Sequence, residues 1–130
     1  MTRPKLASTL GFITAVCYVV VATLHGSAFG DISELARKGP AELVPHVAIM
    51  WWTFSVTLVL LGAITAVNAR NPAANRRAML VLAGCFPLAT VVLMFGYLGW
   101  FGPQVVLGPL ALLSFATAAV CPKPERTGGS

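Results

Sequence analysis

Residues 78–122 read AMLVLAGCFPLATVVLMFGYLGWFGPQVVLGPLALLSFATAAVCP, a run of 45 residues without one charged side chain, bounded by Arg77 and Lys123. About 20 helical residues cross the roughly 30 Å hydrocarbon core of a bilayer, so the run is long enough to cross twice and turn between. Its middle supplies the turn: Gly99, Trp100, Phe101, Gly102 and Pro103 combine helix breakers with aromatics that favour the membrane–water interface. One span is predicted over residues 79–98 and another over residues 104–120. Residues 6–30 and 43–69 are likewise uncharged and predict spans over residues 7–28 and 45–67. Backbone amides in lipid must be satisfied within their own segment, which selects helices. The expected fold is therefore an all-α integral membrane protein of one domain, a four-transmembrane-helix bundle. Short connections after the second and third spans favour an up-down-up-down arrangement.

Composition excludes the main alternatives. Of 130 residues, 57% are hydrophobic and 10% charged, against roughly 45–50% and about 25% in soluble domains. So short a chain has too much surface to hide that much apolar material from water. Disorder, a soluble enzyme domain and a disulfide-stapled secreted module are all ruled out. Three cysteines give no paired framework. Cys17 and Cys85 lie inside spans as small apolar fillers, and Cys121, at the end of the fourth span, is open to acylation although a bare thiol is the simpler expectation.

Lys and Arg set the expected sidedness. Arg3, Lys5, Arg70, Arg76, Arg77, Lys123 and Arg126 fall on one side, and only Arg37 and Lys38 on the other. The positive-inside rule places both termini in the cytoplasm of a multi-pass cell-membrane protein, with residues 122–130 as a cytoplasmic tail. The net charge of +5 is thus a topology signal; scattered membrane-flanking cations do not make a nucleic-acid surface. A competing reading of the N-terminus is a cleaved signal peptide ending near Gly26-Ser27-Ala28, but its apolar region is longer than the usual 7–15 residues.

The first extracytoplasmic loop holds most of the unusual material. Asp31-Ile32-Ser33-Glu34 has the pattern of a helix N-cap with a reciprocal acid, and Gly39-Pro40 that of a stop, so residues 32–38 are predicted as a short interfacial helix. His25, near the end of span one, and His46, near the start of span two, flank this loop, together with Asp31, Glu34 and Glu42. Nearly all the acid–base chemistry available to the chain is thereby placed at one end of the bundle. A helix C-terminus favours a cationic His25, partnered by Glu42 or Asp31, whereas a helix N-terminus favours a neutral His46. Neutral imidazoles bind metals and accept protons, so His25 and His46 are the candidate ligands for a metal or a haem. Hydrogen bonding at the interface is the plainer role for both.

Helical spacing aligns Gly11, Thr14, Tyr18 and His25 on span one and His46, Met50, Thr53 and Thr57 on span two. Span three aligns Pro87, Thr90, Met94 and Tyr97, and span four Gln104, Gly108 and Ala111. Facing inward, these stripes would make a narrow, mildly polar interior. As plain packing, small residues are where membrane helices touch. Trp51, Trp52, Trp100, Phe101 and Tyr97 read first as an aromatic belt, with stacking on an apolar ligand as a second role. Pro87 is expected to kink span three or be relieved by its neighbours.

No Asp, Glu, Lys or Arg lies near the middle of a span, whereas proton-coupled carriers keep one there. In size the chain resembles the small multidrug exporters, but their glutamate in the first helix has no counterpart. In helix count, and in His25 near the end of span one, it resembles the DoxX-like four-helix membrane proteins; the likeness extends over no continuous motif and carries no residue across. Two functions from different classes follow. The first is binding of an apolar ligand or a membrane partner, a second copy included, at the extracytoplasmic end, with His25, His46, Glu42, Asp31, Tyr18, Trp51 and Tyr97 as candidate residues. The second is a membrane redox or metal- or haem-dependent enzyme built on His25 and His46, with a minimal transporter behind both.

Overall fold

Five helices follow one another in the computed structural model, which describes residues 2–70, 75–100 and 102–122. They are α1 (Arg3–Ser27), α2 (Phe29–Ala36), α3 (Leu43–Arg70), α4 (Arg76–Leu98) and α5 (Gln104–Val120). Phe101 of the expected aromatic turn and residues 123–130 of the expected tail lie outside the described residues. Three helical stretches are long and apolar enough to cross a membrane: Arg3–Ala36, Leu43–Arg70 and Arg76–Leu98. The fourth apolar helix, α5, has 17 residues and is about 25 Å long.

The long helices overrun the predicted spans because nothing stops them where the apolar run ends. Helix α1 begins at Arg3 with a proline in its first turn, where a missing N–H is harmless. Helix α3 carries on to Arg70 and α4 starts at Arg76. The expected short helix exists, but its start is different. Asp31 does not cap it; the junction is Ala28, whose N–H donates to the His25 and Gly26 carbonyls, and Asp31 is the third residue of α2. The chain bends at that one residue and resumes helix immediately, so no side-chain cap is needed. Gly39 ends the following turn by donating to the Ala36 carbonyl, as Gly39-Pro40 suggested. Helix α4 ends at Gly99, whose φ of 69° is a conformation that side chains disfavour.

Helix α1 is the hub of the bundle. It packs along α3 and α5, α4 packs along α5, and α3 and α4 barely meet. The α1–α3 contact is close because both faces are small: a Cβ on Gly11 would stand 2.9 Å from Ala69 Cβ, and one on Gly62 3.1 Å from the Ala15 carbonyl. The Ser8 hydroxyl donates to the Ala69 carbonyl, and Thr14 Oγ1 lies 3.0 Å from Thr117 Oγ1. Tyr18, Leu58, Ala83 and Leu110 form the middle of the core, and Ala7, Leu80, Ala118 and Cys121 a second layer.

Large aliphatics point the other way. Leu60, Leu82 and Leu112 are all exposed. A bundle with small residues inside and large apolar ones outside suits hydrocarbon, where close packing and hydrogen bonds, and not burial from water, hold helices together.

Tyr18 links three helices by one hydroxyl. It donates to the Ala83 carbonyl at 2.6 Å and lies 3.1 Å from Ser114 Oγ. Ala83 is four residues before Pro87, so its carbonyl is the one that the proline leaves without an N–H. The phenol of α1 replaces that donor from across the bundle, and this is how Pro87 is accommodated inside α4.

Candidate functional site

At the end of the bundle where α2 lies, late residues of α1 and α4 and early residues of α3 and α5 enclose a cavity of about 590 Å³. Val21, Leu24 and His25 come from α1 and Ile32 from α2. Val47, Met50, Trp51 and Phe54 form the α3 wall, with Thr90 and Met94 opposite on α4 and Val106 and Leu107 on α5. Helices α3 and α4 meet little, which leaves room for the cavity between them, and Phe54 of its wall lies 5.5 Å, centroid to centroid, from Phe86 of α4. Leu24 and Met50 are 58% and 73% exposed, so the cavity opens on the outer surface of the bundle.

Among the described residues His25 is the one ionisable side chain in the wall, and α3 holds it by four contacts. Its ring stacks on Trp51 with centroids 3.8 Å apart and planes 17° from parallel. The Trp51 indole N–H donates to the His25 carbonyl at 2.7 Å, satisfying an acceptor in the last turn of α1. His25 Nδ1 lies 2.9 Å from Ser55 Oγ. The Phe54 ring is tilted against the imidazole, with centroids 4.8 Å apart.

The remaining sequence candidates are dispersed. His46 is exposed, and its Nδ1–H donates to the Glu42 carbonyl at 2.6 Å, so it is tied to its own turn and the Glu42 carboxylate is not its partner. Nor is His25 paired with Glu42 or Asp31; its polar partner is Ser55. Asp31 and Glu34 are exposed on α2. Tyr18 is wholly buried in the core and Tyr97 is 86% exposed, and neither lines the cavity. Of the seven candidates the structure brings together His25 and Trp51. Among the described residues no three His, Cys, Asp or Glu side chains are grouped to hold a metal ion.

Sequence reasoning missed Ser55 and Phe54 by taking the phase of α3 from His46. The stripe His46, Met50, Thr53, Thr57 points largely outward: His46, Met50 and Thr53 are exposed. The buried face runs Ser55, Leu58, Gly62, Thr65, Asn68 and Ala69. The small and polar residues at positions 55, 62, 65 and 68 were the available signal, since outward positions in lipid have no use for them. Extending that face by one turn reaches Trp51 and passes His46 by.

The opposite end carries a buried cation. Arg76 is 6% exposed, and its Nε and Nη2 have no hydrogen-bond partner among the described residues. Cys121 is buried close by; its thiol donates to the Thr117 carbonyl at 3.2 Å, and burial pushes its pKa up against the opposing pull of Arg76 and Arg77. A thiol so held is poorly placed for acylation.

No protein-family model, curated protein or solved structure matches this chain.

Proposed function

We propose that this protein is a four-span protein of the cell membrane that holds an apolar ligand in the cavity at its extracytoplasmic end. The cavity carries the reading. Its volume of about 590 Å³ lies within the range usual for small-molecule sites, roughly 300–1,000 Å³, and its wall is aliphatic and aromatic apart from His25 and Thr90. The loose α3–α4 contact gives a lateral route from the bilayer, so a ligand dissolved in lipid need never cross water.

Charge and contact support this arrangement in the membrane. Seven of nine Lys and Arg on one side put both termini in the cytoplasm and α2 outside. Ser8 at the start of α1 meets Ala69 at the end of α3, in keeping with an up-down order. Helix α5, at about 25 Å, is short for the hydrocarbon core and is accommodated by local thinning of the bilayer.

Trp51 is a built-in reporter. With Trp52→Phe and Trp100→Phe it becomes the sole tryptophan, and a brominated alkane dissolved in the detergent should quench it saturably. Thr90→Phe, which fills the cavity from the α4 side, should convert saturable quenching to a linear dependence. Linear quenching before that substitution would contradict the proposal.

A further inference from the structure

Within a wall of hydrocarbon, His25 presents one particular hydrogen-bonding group. The Ser55 hydroxyl lies 3.3 Å from the Trp51 carbonyl, which can only accept, and we assign its proton to that bond. Its oxygen is then the acceptor for His25 Nδ1–H, 2.9 Å away. A neutral imidazole with its proton on Nδ1 carries its lone pair on Nε2. No described group of the protein bonds Nε2, and the atom is not sealed away from the molecular surface. The stack on Trp51 and the indole bond to the His25 carbonyl hold ring and backbone together, so the ring has little freedom to turn Nε2 elsewhere. Thr90, the other polar residue in the wall, directs its own hydroxyl proton to the Phe86 carbonyl at 3.0 Å. The cavity thus offers a ligand acceptors and no committed donor.

We infer that the ligand is an apolar molecule bearing a hydroxyl group, an alcohol or a phenol, whose O–H donates to His25 Nε2 while its hydrocarbon body fills the space between α3 and α4. This rests on the cavity being a ligand site and adds the chemistry that the site selects. Ketones, ethers and hydrocarbons of the same shape fill the volume but leave Nε2 unpaired, and in a low-dielectric wall an unpaired acceptor is penalised more than in water. Ser55 is a positioning residue: it fixes the tautomer and does not touch the ligand.

The test uses the full chain with Trp51 as sole tryptophan and two probes of equal length, an ω-bromo long-chain alcohol and its methyl ether. Both should quench saturably, the alcohol with roughly tenfold higher affinity, the upper end of what one hydrogen bond contributes. His25→Phe keeps an aromatic ring against Trp51 and should lower the alcohol to the affinity of the ether without changing the ether. Ser55→Ala leaves His25 in place but frees the tautomer, so it should narrow the alcohol preference while both probes still bind; it also keeps the test decisive where His25→Phe fails to fold. Equal, saturable binding of both probes would overturn the hydroxyl inference and leave the cavity reading standing. Absence of saturable binding by either would overturn both.

Discussion

Tyr18 and Pro87 form a pair that neither residue explains alone. The phenol donates to the Ala83 carbonyl, whose helical partner would have been the N–H that Pro87 lacks. Tyr18→Phe should therefore cost more than an ordinary hydrogen bond, about 1–3 kcal/mol, because a buried carbonyl is left bare. In a Pro87→Ala background the backbone supplies its own donor, and Tyr18→Phe should cost about 1 kcal/mol less or better. A double-mutant cycle of thermal or denaturant stability in one detergent checks this; additive effects would show that the two residues are independent. Arg76 is the opposite case, a buried guanidinium whose Nε and Nη2 have no partner among the described residues. Removing a buried charge that no described residue pairs should not destabilise, so Arg76→Met is expected to melt at the wild-type temperature or above. A loss of several kcal/mol would mean that Arg76 has a partner in the membrane. Tyr18 could be placed on the inward face of its helix from spacing alone. Its bond to Ala83 could not, because it depends on which carbonyl of a different helix lies opposite.

The close approach of α1 and α3 rests on single atoms. A Cβ at Gly62 would sit 3.1 Å from both the Ala15 carbonyl and Tyr18 Cβ. Gly62→Val should force the helices apart and cost about 1–3 kcal/mol. Gly96, also inside a helix, has nothing within 4 Å of a built Cβ. Gly96→Ala should be neutral or stabilise by about 0.5–1 kcal/mol through the backbone entropy of glycine. Equal effects of the two substitutions, measured side by side, would contradict close packing at Gly62. Helix positions and the turn at Gly99 were legible in sequence because apolar length and breaker residues act locally. The orientation of α3 was harder to read: its inward face is marked only by the scattered small and polar residues Ser55, Gly62, Thr65 and Asn68, and His46 drew attention to a stripe that faces outward. The α1–α2 junction also eluded sequence reasoning, since Asp31 suits a cap that the uninterrupted bend at Ala28 makes unnecessary.

Across the whole molecule, small-residue contacts hold α1 to α3, and a cavity lies between α3 and α4, which meet little. Sidedness is tested by reporter fusions: those after Arg77 and at the C-terminus should score cytoplasmic, and one at Lys38 extracytoplasmic, from the seven-to-two distribution of Lys and Arg. A cytoplasmic score at Lys38 would reverse the orientation while leaving the cavity as it is. The claim that matters most is that the space between α3 and α4 is a binding site and not a packing defect. Native mass spectrometry of the protein released from lipid nanodiscs addresses it directly. The wild-type chain should retain one tightly held apolar molecule after the surrounding lipid is stripped, and Thr90→Phe should emerge bare. A bare wild-type chain, or the same adducts on both, would contradict the account.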